Sequence, residues 1–67
     1  MKNSIRVARA ERRMTQQQLA DNIGVSRQTV NAIESGRFVP STILALRIAR
    51  LFERPVEEMF WLEDEDE

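Results

Sequence analysis

Residues 15–36 read TQQQLADNIGVSRQTVNAIESG, which is two short helical patterns on either side of a Gly-Val-Ser turn. The first pattern begins at Thr15, and a glutamine three positions later completes the spacing of a capping box. The second begins at Ser26, whose hydroxyl suits the N-cap because it accepts a backbone N–H that the helix leaves free. Because glycine takes a positive φ at little cost, Gly24 and Gly36 are expected to end the two helices.

Each pattern has one apolar stripe. Leu19 and Ile23 are four positions apart, and Val30 and Ile33 are three apart, so each pair lies on one helix face. Two such helices, joined by a turn of about three residues that contains glycine, predict a helix-turn-helix whose second helix enters the DNA major groove. Arginine pairs bidentately with guanine, and glutamine or asparagine with adenine, so such side chains suit the reading of base edges. The polar face of the second helix carries Arg27, Gln28, Thr29 and Asn31.

The length of 67 residues predicts a single domain, residues 1–67, near the lower limit for an independent core. The sequence has no Cys and no His, so disulfides and the commonest metal ligand are excluded. Stability is therefore expected from tight helix packing or oligomerisation, and we expect a dimer. No nucleophile is paired with a base, and the sequence has no metal cluster or Gly-rich phosphate loop. We predict no enzymatic activity, no metal, no cofactor and no small-molecule ligand.

Charge is distributed unevenly along the chain, although the formal net charge is only −1. Residues 1–50 contain nine Lys/Arg and three acids, whereas residues 51–67 contain one Arg and eight acids. Such asymmetry is typical of a protein that binds nucleic acid at one end and has an acidic tail at the other. The tail, residues 63–67, is expected to be frayed and solvated, and to repel DNA from its end of the domain.

The sequence also predicts where the protein resides. No apolar run approaches the roughly 18 residues that a membrane span needs. The N-terminal sequence MKNSIRVARAERR lacks an apolar core of signal-peptide length. We therefore expect a cytoplasmic protein that does not contact a membrane.

Helical patterns precede and follow the central motif. A first helix is expected from Ser4, its N-cap, to about Arg13. Pro40 disfavours helix at the residue before it, and Ser41 then caps a fourth helix. The fourth helix is apolar nearly all round, so its extra face is expected to meet another chain. A fifth helix is expected from Pro55, because proline favours the first helical position.

Phe60–Leu62 is a β-favouring triplet that is too short to be stable alone. It pairs either with Met1–Asn3 or with its own copy in a partner chain. Trp61 is equally consistent with a place in the core and a place in an interface between chains. Six residues are assigned to the expected dimer interface: Ile43, Leu51, Met59, Phe60, Trp61 and Leu62.

The chain resembles the lambda-repressor/Cro-type helix-turn-helix family, also called the xenobiotic-response-element family, through the run TQQQLADNIGVSRQTVNAIESGRFVPS. The resemblance covers roughly residues 4–60. The short length and the ending EEMFWLE resemble a stand-alone subgroup that includes the cytolysin-operon repressor of Gram-positive bacteria. This resemblance implies an all-α fold, a compact five-helix domain in which short N- and C-terminal strands pair. It also implies a homodimer without a separate effector domain.

The resemblance further implies roles for individual residues of the motif. The residues that read base edges are Arg27, Gln28, Asn31 and Ala32. The residues that contact DNA phosphates are Gln16, Ser26, Thr29 and Arg37. An ion pair between Arg9 and Glu34 joins the first helix to the third. The pattern alone, without the resemblance, would favour two independent surface charges.

These observations predict a sequence-specific DNA-binding transcriptional regulator, specifically a homodimeric repressor that reads a pseudo-palindromic operator in double-stranded DNA. The alternative is an antitoxin or protein-interaction module with the same fold, which would bind a partner through Ile43, Leu51 and Trp61. The polar face of the second motif helix favours the regulator, because a pure interaction module has no need of base-reading side chains there.

Overall fold

The computed structural model describes all 67 residues, which form five α-helices and a two-stranded sheet. The elements, in chain order, are β1 (Lys2–Asn3), α1 (Ile5–Glu11), α2 (Gln16–Ile23), α3 (Arg27–Glu34), α4 (Thr42–Leu51), α5 (Val56–Met59) and β2 (Phe60–Trp61). The Cα radius of gyration is 11.0 Å, which matches the value of about 11 Å expected for a compact chain of this length. The predicted all-α fold of five helices with paired chain ends is confirmed.

The two helices of the motif begin where their capping residues predict. Thr15 Oγ1 accepts the Gln18 N–H at 3.0 Å, and Gln18 Oε1 accepts the Thr15 N–H at 2.9 Å. This reciprocal pair is the predicted capping box. Ser26 Oγ accepts the Thr29 N–H at 3.1 Å, as the sequence predicted. Gly24 ends α2 with a φ of 73°, a left-handed conformation that costs glycine little.

Ser4 does not cap α1 as predicted. Its hydroxyl donates instead to the Glu58 carbonyl at 2.9 Å, and Asn3 Oδ1 accepts the Ile5 N–H at 3.2 Å. The sequence prediction was wrong because a partner distant in sequence competes for this hydroxyl. The helix also ends two residues before its predicted last residue, since Arg13 takes a φ of 52°.

The core is a cluster of twelve apolar residues contributed by all five helices and by β2. They are Ile5, Ala8, Leu19, Ala20, Ile23, Val30, Ile33, Ile48, Ala49, Phe52, Met59 and Phe60. Two of them, Met59 at 0% exposure and Phe60 at 7%, had been assigned to the dimer interface. The chain buries both against its own helices, so that assignment is corrected. No helix is both long and apolar enough to cross a membrane.

The two strands join the ends of the chain. They are antiparallel, with Lys2 opposite Trp61 and Asn3 opposite Phe60. Of the two pairings that the sequence allowed for Phe60–Leu62, the structure shows the one within the chain. Successive strand residues face opposite sides, so Phe60 points into the core while Trp61 is 42% exposed. The structure therefore places Trp61 outside the core.

The acidic tail forms a short turn beside the N-terminus. Asp64–Asp66 form one 3-10 turn, and the Asp66 carboxylate lies 2.9 Å from the Met1 ammonium. The hydrogen bond to Asp66 raises the pKa of the Met1 ammonium. The Glu63 backbone N–H, followed by this ammonium, lowers the pKa of Asp66. Residues 64–67 are exposed to solvent as expected, and the fraying of the tail stays a prediction.

Candidate nucleic-acid interface

Helix α3 is attached to the domain by one face only. Its apolar residues Val30 and Ile33 are buried at 1% and 2% exposure. They join Leu19 and Ile23 of α2 in the core, as the apolar stripes predicted. Between the helices, the Val25 N–H donates to the Ala20 carbonyl at 3.1 Å and closes the turn. This packing fixes the direction of α3 and leaves its opposite face outside.

The outer face of α3 brings the predicted base-reading residues together. Arg27, Gln28 and Asn31 are exposed and Ala32 is half-buried. Positions four apart on a helix share a face, and two such pairs occur here, Arg27 with Asn31 and Gln28 with Ala32. With Arg37 they line one shallow depression of the surface, which consists of Arg27, Gln28, Asn31, Ala32 and Arg37. This depression, defined by those five residues, is the candidate site and is called the recognition surface below.

Arg37 is hydrogen-bonded to the last turns of α3. Its Nη2 donates to Asn31 Oδ1 at 2.8 Å, and its Nε donates to Ser35 Oγ at 2.9 Å. Ser35 Oγ in turn donates to the Ala32 carbonyl at 3.1 Å. Sequence reasoning missed the contact between Arg37 and Asn31. The signal was Gly36, whose φ of 80° turns the chain back so that Arg37 N–H also bonds the Ala32 carbonyl.

The remaining residues assigned to phosphates lie at helix N-termini. Gln16 is the first residue of α2 and is half-buried. The hydroxyls of Ser26 and Thr29 are 2.9 Å apart and share a hydrogen bond. One of their two O–H groups is used in that bond, so the pair offers one O–H to a ligand. The first backbone N–H groups of α2 and α3 lack partners within their helices and suit a phosphate oxygen.

A buried ion pair joins α1 to the end of α3. Arg9 Nε donates to Glu34 Oε2 at 2.7 Å, and Arg9 Nη2 donates to Glu34 Oε1 at 3.0 Å. The Glu34 side chain is 2% exposed and that of Arg9 is 15% exposed. Arg9 Nη1 also donates to the Met14 carbonyl at 2.8 Å. The structure thus brings together the two residues of the expected pair, and their contact fixes the C-terminal end of α3.

The residues assigned to a dimer interface are divided between surface and core. Ile43 is 72% exposed, Leu62 is 58% exposed, and Leu51 is half-buried. Leu46, which the list of interface residues left out, is 51% exposed. Its signal was the spacing of three from Ile43, which places both on one side of α4. Ile43 and Leu46 line a second depression together with Arg47 and Arg50.

Two capped helices are joined by a turn that contains glycine, and the second helix exposes a polar face. This arrangement defines a helix-turn-helix domain. Comparison with known proteins leads to the same class. A family profile described as helix-turn-helix matches residues 5–59. The chain therefore belongs to the Cro/C1-type helix-turn-helix family. The finer resemblance to the cytolysin-operon subgroup is not confirmed by these comparisons.

Similar proteins occur in Bacteria and Archaea. The uncharacterized HTH-type transcriptional regulator YgzD of Bacillus subtilis is 47% identical over 66 residues, which cover 98% of this chain and 100% of YgzD. An uncharacterized HTH-type transcriptional regulator of Methanocaldococcus jannaschii is 46% identical, with coverage of 98% and 100%. Another such regulator, from Methanothermobacter thermautotrophicus, is 48% identical, with coverage of 98% and 96%.

Proposed function

We propose that this protein is a sequence-specific DNA-binding transcriptional regulator, and that it acts as a homodimeric repressor. The observation that carries the proposal is the recognition surface, where Arg27, Gln28 and Asn31 are exposed on a helix whose other face is buried. A rigid helix with such side chains fits the major groove and reads its donor and acceptor pattern. The printed names of the relatives, HTH-type transcriptional regulators, support the same function.

The distribution of charge supports a defined approach to DNA. Arg27 and Arg37 are exposed at the recognition surface, and positive groups there attract the phosphate backbone. The carboxylates of Glu65 and Asp66 instead line a depression beside Gly36. We propose that they repel phosphate from that side and so restrict how the domain is oriented on the duplex.

Contacts to phosphates would hold the domain in register while base contacts specify the sequence. We propose that Gln16, Arg37 and the hydroxyl pair of Ser26 and Thr29 bind the backbone. The half-buried Ala32 offers only a methyl group, which suits contact with the methyl group of thymine.

Gln28→Ala is expected to weaken binding to the preferred DNA site by about 1–3 kcal/mol and to relax the preference at one base pair. The physical reason is the loss of both the amide donor and the amide acceptor from the recognition surface. The measurement is selection of bound sequences from a random library, followed by titration of the selected duplex.

Gln17→Ala is the matched control, because it makes the same change on α2, where Gln17 Nε2 bonds Asp21 Oδ1 at 2.8 Å. This control is expected to keep every base preference. Unaltered specificity in Gln28→Ala would remove Gln28 from the set of base-reading residues.

We also propose that two copies associate through exposed apolar residues on α4 and at the end of β2. These residues are Ile43, Leu46, Trp61 and Leu62, all at least 42% exposed. In a domain with so small a core, covering them would add apolar burial. A two-fold dimer would place two α3 helices about 34 Å apart and require a pseudo-palindromic operator.

Ile43→Glu is expected to raise the dimer dissociation constant at least about tenfold, because a carboxylate would be desolvated in an apolar contact. Sedimentation equilibrium over a concentration series measures the constant directly. Val7→Glu is the control, since Val7 is 60% exposed on α1, outside the proposed interface. A monomer at every concentration, or equal effects of the two variants, would contradict the proposed interface.

The proposed function as a whole is tested by selecting bound DNA with the purified protein and by titrating salt on the selected site. The expected result is a two-fold symmetric site that the protein binds far more tightly than random DNA. We propose that this regulation takes place in the prokaryotic cytoplasm.

The exposed apolar residues also favour a second function, that of an antitoxin or protein-interaction module. Weak binding that is indifferent to sequence and lost at moderate salt would favour that second function.

A further inference from the structure

We infer that Arg37 sets the base preference of Asn31, so that Asn31 selects a keto base, guanine or thymine, over adenine or cytosine. This inference rests on the proposed function and specifies what one position of the recognition surface reads. Its observation is the hydrogen bond of 2.8 Å from Arg37 Nη2 to Asn31 Oδ1.

The orientation of the Asn31 amide follows from the chemistry of its partner. A guanidinium has only donors, so the amide atom that faces Arg37 must be the oxygen. The bond is assisted by charge and is therefore stronger than a bond between neutral groups. The amide nitrogen, with its two N–H donors, is the end of Asn31 that remains available outside the chain.

The guanidinium is positioned before any DNA arrives. Arg37 Nε is bound to Ser35 Oγ at 2.9 Å, and Ser35 Oγ is bound to the Ala32 carbonyl at 3.1 Å. The Arg37 backbone N–H also bonds that carbonyl, at 3.0 Å. This arrangement keeps the guanidinium beside the exposed turn that contains Asn31. Arg37 is in this respect a positioning residue, in addition to any contact of its charge with phosphate.

The major-groove edges of the bases convert this orientation into a preference. Guanine presents N7 and O6 and thymine presents O4, all of which are acceptors, whereas adenine presents the N7 acceptor beside an amino donor and cytosine presents an amino donor. An asparagine that presents its N–H groups can donate to the acceptors of the keto bases. Against cytosine, the same N–H groups would face another donor, the amino group, and no hydrogen bond would form. Bidentate reading of adenine needs Asn31 Oδ1 to accept the adenine amino group, so the oxygen must either turn away from Arg37 or use its second lone pair while it stays bound to the guanidinium.

The test compares the base preference of four proteins by library selection: the wild type, Asn31→Ala, Arg37→Ala and the double variant. The position read by Asn31 is the one at which Asn31→Ala loses its preference. The wild type is expected to prefer guanine or thymine there by about 5- to 150-fold, the range for one good base contact. Arg37→Ala is expected to change that preference to adenine, because Asn31 Oδ1 becomes free.

One further variant, Arg37→Lys, and a salt titration of Arg37→Ala separate positioning from simple charge. Arg37→Lys keeps both the charge and a donor, so it is expected to keep the keto preference. Arg37→Ala loses a charge and is expected to flatten the salt dependence by about 0.9 in log–log slope if Arg37 also touches a phosphate. In the Asn31→Ala background, removing Arg37 is expected to change affinity without changing preference at any position.

The inference is overturned if the wild type selects adenine at the Asn31 position, or if Arg37→Ala leaves the preference there unchanged. The absence of any selected site in the wild type would instead overturn the proposed function. A measurement without DNA keeps the two failures distinct. The Asn31 side-chain amide resonances in NMR spectra of the free protein are expected to shift in Arg37→Ala and to stay near their wild-type positions in Arg37→Lys. Unshifted resonances in Arg37→Ala would overturn the inference alone.

Discussion

Arg9→Met is expected to lower the free energy of unfolding by about 3–5 kcal/mol, the cost of leaving one partner of a buried ion pair uncompensated. The partner is Glu34, whose carboxylate is 2% exposed and receives two bonds from Arg9. Arg6 lies 3.8 Å from the same carboxylate, but its side chain is 79% exposed and offers only a weak replacement. A domain this small is stable by only about 3–5 kcal/mol. The variant should therefore be only marginally stable, with a large unfolded fraction at room temperature.

Urea denaturation followed by circular dichroism measures this loss, and two further variants define its cause. The double variant Arg9→Met/Glu34→Leu is expected to recover most of the stability, because no buried charge then lacks a partner. Recovery should be incomplete, since the bond from Arg9 to the Met14 carbonyl is also lost. Arg54→Met breaks an exposed pair with Glu11, 2.6 Å long, and should cost no more than about 1 kcal/mol. Equal losses in Arg9→Met and Arg54→Met would refute the special role of the buried pair.

Ile33→Ala is expected to lower the free energy of unfolding by about 2–5 kcal/mol. Ile33 is 2% exposed on the inner face of α3, so truncation leaves a cavity beneath the recognition surface. Protein prepared with this variant is expected to bind DNA more weakly although Ile33 touches no base, because DNA binds only the folded fraction.

Thermal and urea unfolding, each with and without the selected DNA, measure the effect of Ile33→Ala. Val7→Ala is the control, since a truncation at an exposed position of α1 is expected to stay within about 0.5 kcal/mol of the wild type. A loss of affinity in proportion to the unfolded fraction would mean that the folded variant binds DNA as the wild type does. In that case α3 keeps its geometry and acts as a rigid element. A loss of stability below about 1 kcal/mol would mean that the core closes over the truncated side chain.

Features that depend on neighbours in the sequence were predicted well. Thr15 and Ser26 cap their helices through residues three positions away, and Gly24 ends α2 through its own backbone conformation. The exposed face of α3 was predictable because helical spacing alone separates Val30 and Ile33 from the polar residues. Local chemistry decides each of these outcomes.

Features that depend on contacts distant in sequence were not predicted. The Ser4 hydroxyl bonds a carbonyl 54 residues away, which no local rule anticipates. Met59 and Phe60 were assigned to the dimer interface, but apolar residues suit a core as well, and only the packing of α5 and β2 against the helices shows that they are buried. The contact from Arg37 to Asn31 crosses a turn, so neither residue's helical position revealed it.

The pairing of the chain ends has a consequence for how the protein is made. During synthesis, Asn3 and Ser4 emerge early, but Asn3 pairs with Phe60 and Ser4 with Glu58 and Met59. Contacts between such distant residues form late because a long loop must close first. Asn3 and Ser4 therefore remain without these partners until residues 58–60 have been synthesised.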